Sequence, residues 1–247
     1  MDRDVAQLVA HVLWEHEVAG SNPVIPTTYI NVNHGLGIGD WINRLSEIYY
    51  SAVDNKFEEI KIVSNNKVIL SGYPEIANYY LKKPPFKVEY DYKSAKGNDN
   101  NYEYLGKYWP AKRRHKGGNY IIAYACVCDG KNVSKCFSTR ECEQFEDSLK
   151  EKNVVWLRDL HLDRNPYVHN QPLLNQTSEE FVEYVLELFE NCKYYIGSEC
   201  FYTHLCKAMN VPFICLDKRI NESKLPYYHF NQKVFGSAVE LVNYIRL

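Results

Sequence analysis

From residue 27 onwards, strand-like and helix-like segments alternate along the chain. Short stretches rich in β-branched and aromatic residues are followed by stretches whose apolar residues recur at helical spacing. In the first part of the chain, strands are predicted at 29–33 and 59–64, and helices at 41–53 and 74–81. Alternating strands and helices form parallel sheets with helices packed on both faces, so the chain is predicted to be an α/β protein.

The second part of the chain repeats this alternation more regularly. Its helix at 138–150 opens with Ser138-Thr139-Arg140-Glu141, the pattern of a capping box. The other predicted elements are strands at 120–126, 154–157, 193–196 and 213–216, and helices at 178–190, 201–209 and 238–245. Between the two parts, residues 82–118 are predicted to be irregular, with the basic run 112–118 in a solvated loop.

These two parts predict two Rossmann-like domains, residues 27–117 and 118–247, whose parallel sheets face a cleft. Residues 1–26 look foreign to both domains. Within them, Gly20-Ser21-Asn22-Pro23 resembles the conceptual translation of a transfer-RNA gene, so we expect a non-native or disordered leader. A genuine amphipathic helix over residues 5–14 is the alternative interpretation.

Composition argues against several classes of protein. Lysine and arginine number 29 against 31 acidic residues, a net charge of −2, whereas a general nucleic-acid binder is strongly basic. The longest apolar run, 120–128, is too short to span a membrane. The 8 cysteines include no C-x-x-C pair, so we expect reduced thiols in a cytoplasmic protein. His161, Asp163 and His169 have no second ligand cluster beside them, so no metal site is expected.

A glycine turn follows the first predicted strand, at residues 35–40 (Gly-Leu-Gly-Ile-Gly-Asp). Dinucleotide-binding turns have the spacing G-x-G-x-x-G, whereas here Asp40 occupies the last position. A carboxylate at a helix N-terminus repels a pyrophosphate, so this turn is poorly suited to NAD. Asp40 is therefore either the N-cap of the following helix or a general base that accepts a proton from an incoming hydroxyl.

A second glycine turn lies at the end of the strand predicted at 193–196. Gly197 precedes a helix whose first-turn amides would form an anion site at the edge of the sheet. Ser198 and the amides near Cys200 and Phe201 are predicted to hold a diphosphate there. His204, one helical turn later, would bond to a phosphate oxygen, or it is a satisfied core histidine.

Lys135 lies between the first strand of the second part and the capped helix at Ser138. An ammonium group at the carboxyl edge of a sheet suits a leaving diphosphate. The alternative is an ordinary solvated lysine. The functional interpretation depends on the two glycine turns and Lys135 lying along one cleft.

The order of these features is similar to that of the family-nine glycosyltransferases, the heptosyltransferase-like group with a GT-B fold. The family's G-x-G-D turn corresponds to Gly37-Ile38-Gly39-Asp40, and its Lys-x-Trp-Pro-like element to Lys135-Cys136-Phe137-Ser138. The family's late motif, roughly I-G-N-D-S-G-x-x-H-x-A-x-A-x-x-x-P, corresponds to residues 196–212. Here Glu199 replaces the aspartate, while Cys200 and Phe201 replace a small hydroxyl residue and a glycine.

The resemblance implies a metal-independent glycosyltransferase without a cofactor, which moves a sugar from a nucleoside-diphosphate sugar to a glycan or glycolipid acceptor. It implies Asp40 as the general base in a first, acceptor domain. The second domain would bind the donor. The donor-binding residues would be Lys135, Gly197, Ser198, Glu199, Cys200, Phe201 and His204, and the acceptor-side residues Gly37, Gly39, Trp41 and Arg44.

Two alternatives stay open at this stage. One is a non-catalytic carbohydrate or nucleotide binder with a decayed site, which the substitutions at Cys200 and Phe201 favour. The other is a nucleotide-sugar epimerase or reductase, which needs a dinucleotide turn and a Tyr-x-x-x-Lys pair. That spacing occurs three times, first at Tyr79 and Lys83, but no dinucleotide turn accompanies it.

Overall fold

The computed structural model describes seven stretches of the chain: residues 27–31, 38–63, 73–91, 110–127, 135–157, 179–219 and 233–247. The predictions for residues 1–26, for Gly37 and for the histidines at 161 and 169 lie outside these stretches. None of the described helices is long and apolar enough to cross a bilayer.

The first half forms a three-stranded parallel sheet in the order β1-β2-β3. Its elements are β1 (Thr27–Asn31), α1 (Ile38–Asp54), β2 (Glu59–Val63), α2 (Tyr73–Tyr80) and β3 (Lys87–Asp91). The prediction of irregular structure over 82–118 is wrong for β3. Its apolar residues are only Val88 and Tyr90, between charged residues, so the strand is recognised by its pairing with β2 rather than by a hydrophobic run.

The second half forms a five-stranded parallel sheet in the order β5-β4-β6-β7-β8. Its strands are β4 (Tyr120–Tyr124), β5 (Val154–Trp156), β6 (Cys192–Ser198), β7 (Phe213–Leu216) and β8 (Lys233–Phe235). Its helices are α3 (Thr139–Leu149), α4 (Glu179–Glu190), α5 (Phe201–Met209) and α6 (Ala238–Arg246). The predicted capping box of α3 is present, with Ser138 and Glu141 bonded reciprocally. Among the described elements of this half, β8 was not predicted: its three residues include one lysine and one β-branched residue, whereas the equally short β5 (Val-Val-Trp) is wholly apolar.

Residues 110–118 join the two halves through backbone hydrogen bonds to both. The Lys112 amide donates to the Tyr80 carbonyl at 3.0 Å in the first half, and the His115 amide to the Met209 carbonyl at 3.1 Å in the second. Arg113 forms ion pairs with Glu190 at 3.0 Å and Glu183 at 3.2 Å. The basic run is therefore not simply a solvated loop, because part of it pairs with acidic residues of α4.

One hydrophobic cluster includes residues from both halves of the chain. Trp41 and Leu45 of α1 lie in it together with Phe189 of α4 and Leu205 of α5, all fully buried. A second, smaller cluster fills the opposite face of the five-stranded sheet, where Phe137 stacks on Phe145 at 4.8 Å between ring centroids. The predicted mixed α/β architecture with parallel sheets is confirmed, and the contact between halves is apolar as well as hydrogen-bonded.

Candidate functional site

The turn between β6 and α5 requires a glycine because the neighbouring strand leaves no room for a side chain. Gly197 has a φ of +150°, a backbone conformation that L side chains rarely adopt. A Cβ atom there would overlap the carbonyl oxygen of Tyr124 and lie 2.8 Å from its carbonyl carbon. Gly197 is paired with Tyr124 in the β4–β6 ladder, so the glycine is required for strand pairing whether or not a ligand binds nearby.

Ser198 was predicted to contact a diphosphate, but the structure places it inside the sheet. The residue has 0% of its surface exposed, and its Oγ accepts a hydrogen bond from the Cys126 amide at 2.9 Å. Its carbonyl accepts from the Tyr195 hydroxyl at 2.7 Å. In this conformation Ser198 holds the ends of β4 and β6 together and has no surface for a ligand.

Glu199 is the centre of a cluster of charged side chains at the carboxyl edge of the five-stranded sheet. Its side chain is only 1% exposed. One carboxylate oxygen, Oε2, forms ion pairs with the Lys135 ammonium and with Arg219 Nη2, the latter at 3.3 Å. The other oxygen, Oε1, lies 3.4 Å from His204 Nε2. The structure therefore brings together three of the residues predicted from sequence, Lys135, Glu199 and His204.

Burial and neighbouring groups act in opposite directions on the pKa of Glu199. Burial by itself would raise the pKa, because it removes the carboxylate from water. The hydrogen bond from His204 and the positive charge of Lys135 outweigh burial and lower the pKa to about 2. The carboxylate is therefore ionised at neutral pH and keeps its basic neighbours close together.

Arg219 and Asp217 complete the cluster, and sequence reasoning did not identify either of them. Asp217 is fully buried, and its two oxygens each accept from the Arg219 guanidinium at 2.9 Å. Both residues follow β7, so they reach the same sheet edge as the β6–α5 turn. The signal available in the sequence was an aspartate directly after the predicted strand 213–216, within the charged sequence Asp217-Lys218-Arg219.

The first turns of α1 and α5 lie against each other beside this cluster. The buried side-chain amide nitrogen of Asn43 is in hydrogen-bond contact with His204 Nδ1, while His204 Nε2 faces Glu199. A Cβ atom at Gly39 would lie 2.7 Å from His204 Cδ2 and 2.8 Å from Phe201 Cα. The glycine turn of the first half therefore contacts the helix that follows the second glycine turn.

The other residues of the predicted acceptor side have different surroundings. Asp40 is half-buried in the first turn of α1, one residue from the contact with α5. Trp41 is 0% exposed and lies in the core, so the prediction that it faces an acceptor is wrong for this conformation. Arg44 pairs with Glu47 at 3.3 Å on the same helix.

Phe201 packs against the first half of the chain. Its ring meets Tyr80 of α2 edge-on, with 5.9 Å between centroids. Cys200, the N-cap of α5, is half-buried, and its thiol lies 3.6 Å from the Tyr195 hydroxyl. Burial raises the pKa of this thiol to about 12, so it stays protonated at neutral pH. Cys200 and Phe201, the residues that differ from the glycosyltransferase motif that the sequence resembles, therefore both have packing roles here.

Gly39→Ala tests the contact between α1 and α5. Intrinsic helix propensity alone would stabilise the variant by roughly 1 kcal/mol. We expect instead a loss of about 1–3 kcal/mol, because the new methyl group meets the backbone at Phe201 Cα, which does not move aside easily. Urea unfolding monitored by circular dichroism measures the difference. An increase in stability would show that the two first turns separate at little cost.

The fold and the cluster define a mixed α/β protein with two parallel sheets and a buried carboxylate among basic side chains at one sheet edge. Within the described stretches, no group of three or more His, Cys, Asp or Glu residues is arranged to hold a metal ion. No protein-family model, no curated protein and no solved structure matches the chain.

Proposed function

We propose that the chain is a glycosyltransferase of the GT-B type, which transfers a sugar from a nucleoside-diphosphate sugar to an acceptor hydroxyl. The observation that supports this most directly is the convergence on Glu199 of Lys135, His204 and Arg219. These residues come from three separate segments of the second half, all at the carboxyl edge of a parallel sheet, where α/β proteins commonly bind nucleotides.

The side chains differ in their access to a ligand. Lys135 is 40% exposed and Arg219 is 28% exposed, whereas Glu199 is almost wholly buried. A diphosphate would contact the exposed sides of Lys135 and Arg219, while the buried Glu199 carboxylate pairs with both cations on the side facing the protein. The buried carboxylate would then fix the spacing of two charges that stabilise a leaving diphosphate.

The proposed reaction is a direct displacement at the anomeric carbon of the donor sugar. Asp40, in the first turn of α1, accepts the proton of the acceptor hydroxyl as its oxygen bonds to the anomeric carbon. The bond from that carbon to the diphosphate oxygen breaks, and its electron pair leaves with the nucleoside diphosphate. Lys135 and Arg219 stabilise the departing charge. The first half would bind a glycan or glycolipid acceptor, in the cytoplasm.

A thermal-shift experiment on the full chain tests the donor site. Nucleoside diphosphates, nucleotide sugars and NAD(P) are added singly, and a ligand at 100 times its Kd should contribute about 2.7 kcal/mol. We expect one diphosphate to raise Tm and Lys135→Ala to remove most of the shift. Lys152→Ala, an exposed lysine outside the cluster, is the matched control and should respond like the wild type. Stabilisation by NAD(P) alone would overturn the proposal in favour of an oxidoreductase.

The packing of Phe201 favours a second candidate, a non-catalytic nucleotide or carbohydrate binder. The family has a glycine at this position, where a phosphate can approach the backbone closely. Here the Phe201 ring packs on Tyr80, and its Cα is in close contact with Gly39, so that approach is partly covered. Nucleotide binding without release of nucleoside diphosphate from any bound nucleotide sugar, with or without acceptors, would identify the binder.

A third possibility, the epimerase or reductase, loses its best support in the structure. Helix α2 ends at Tyr80, so Lys83 does not share a helix with Tyr79. Tyr79 instead lies near the Lys112 ammonium, 5.7 Å from its ring centroid. Of the other two pairs with this spacing, Tyr92 and Lys96 both lie outside the described stretches, as does Tyr108, the partner of Lys112.

A further inference from the structure

Two cysteine sulfurs lie close together beside the Glu199 cluster. The Cys136 thiol is 3.0 Å from the Cys126 sulfur. The residues that follow them, Val127 and Phe137, form a parallel β-bridge, and the Phe137 amide donates to the Cys126 carbonyl at 2.8 Å. This register places Cys126 directly opposite Cys136 on neighbouring extended segments, with both side chains on the same side.

That register suits a disulfide bond. Neighbouring extended segments are about 5 Å apart, and disulfides join residues whose Cα atoms are roughly 4.4–6.8 Å apart. The sulfur atoms therefore need to approach each other by only about 1 Å to reach bonding distance. Cys126 is half-buried, so an oxidant can reach the pair from one side, while Cys136 is buried.

We propose that Cys126 and Cys136 are a reversible redox site, which closes to a disulfide in the presence of a peroxide or of oxidised glutathione. Two S–H bonds break and one S–S bond forms. The two protons and two electrons pass to the peroxide, which becomes two water molecules, or to oxidised glutathione, which becomes two thiols. This inference does not depend on the proposed glycosyltransferase activity.

The position of the pair gives the bond a direct effect on the charged cluster. Lys135, which pairs with Glu199, is the residue immediately before Cys136. On the other side, the Cys126 amide donates to Ser198, the residue before Glu199. A disulfide would therefore fix the Lys135 segment to the end of β4 and hold its ammonium against the Glu199 carboxylate. In the reduced protein that segment is held by non-covalent contacts, among them the Phe137–Cys126 hydrogen bond and the Lys135–Glu199 ion pair.

Peptide mapping of the full chain tests the assignment. Reduced protein is treated with hydrogen peroxide or oxidised glutathione, alkylated and digested with trypsin. We expect the peptide 117–131 to be linked to the peptide 136–140, and the link to disappear with dithiothreitol. Fragmentation at Val127 separates Cys126 from Cys128, so the wild-type protein alone shows which of these two cysteines is bonded.

Two variants and a melting experiment complete the test. Cys128→Ser is expected to keep the link and Cys126→Ser to lose it. Oxidation should raise the Tm of the wild type by roughly 5–10 °C, with no shift in Cys126→Ser. A link through Cys128, or full alkylation of Cys126 and Cys136 after oxidation, would overturn the proposal.

Discussion

Replacing Gly197 by alanine is expected to lower the free energy of unfolding by about 4 kcal/mol or more, a large share of the stability of a typical domain. Two effects add at this position. The φ of +150° is strained for any L side chain, and the new Cβ atom would overlap the Tyr124 carbonyl. The overlap is with backbone in the next strand, so only a break in the β4–β6 pairing relieves it.

Gly117→Ala is the matched control for this prediction. Gly117 also has a positive φ, +86°, but a Cβ atom there would meet nothing within 4 Å. Its substitution therefore measures the backbone effect alone, which we expect to be about 1 kcal/mol. Chemical unfolding of both variants separates the two contributions. Equal losses would show that strand β4 accommodates the methyl group and that the overlap is not decisive.

Glu199→Gln is the second substitution for which we expect a large effect. The carboxylate has an ordinary pKa of 4.5 and a pKa of about 2 in the fold, so ionisation favours the folded state. That contribution is complete above pH 4.5 and is lost as the pH falls through 2. Its size is about 3 kcal/mol, since each pKa unit corresponds to about 1.4 kcal/mol. The glutamine variant should lose this amount at pH 7 and leave the Lys135 ammonium without this counter-charge, while Arg219 keeps its pairing with Asp217.

The measurement is the free energy of unfolding of both proteins at several values between pH 2 and pH 7. The difference between wild type and Glu199→Gln should shrink steadily below pH 4.5, because the wild-type carboxyl group becomes protonated. Glu89→Gln is the control, since Glu89 belongs to an exposed ion pair with Lys87, and exposed pairs contribute little. A difference that stays constant with pH would show that the charge of Glu199 is not what stabilises the cluster.

Much of the secondary structure could be predicted from sequence because its signals are local. The amphipathic period of α4, the capping box of α3 and the bounds of α5 and β7 each depend on residues within about a dozen positions. The same local patterns led to Lys135 and His204, because each lies where a strand gives way to a helix, whereas Glu199 came from the resemblance to the glycosyltransferase motif. Strand β3 was missed because its alternation covers only Val88 and Tyr90 among charged residues, and β8 because Lys233–Phe235 has no run of β-branched residues.

The structural roles of individual residues, in contrast, depend on tertiary contacts. Gly197 looked like part of a phosphate turn, but the neighbouring strand requires it. Trp41 looked available to an acceptor, but it fills the core between the halves.

Sequence alone therefore determined that this chain is an α/β protein with parallel strands, and which turns contain its polar residues. Only the tertiary structure decided which of those residues meet. Asn43 and His204 are 161 positions apart, and Arg219 reaches Glu199 from a different strand end. Periodicity and capping are properties of neighbouring residues, whereas a buried ion pair exists only when packing removes two distant groups from water together.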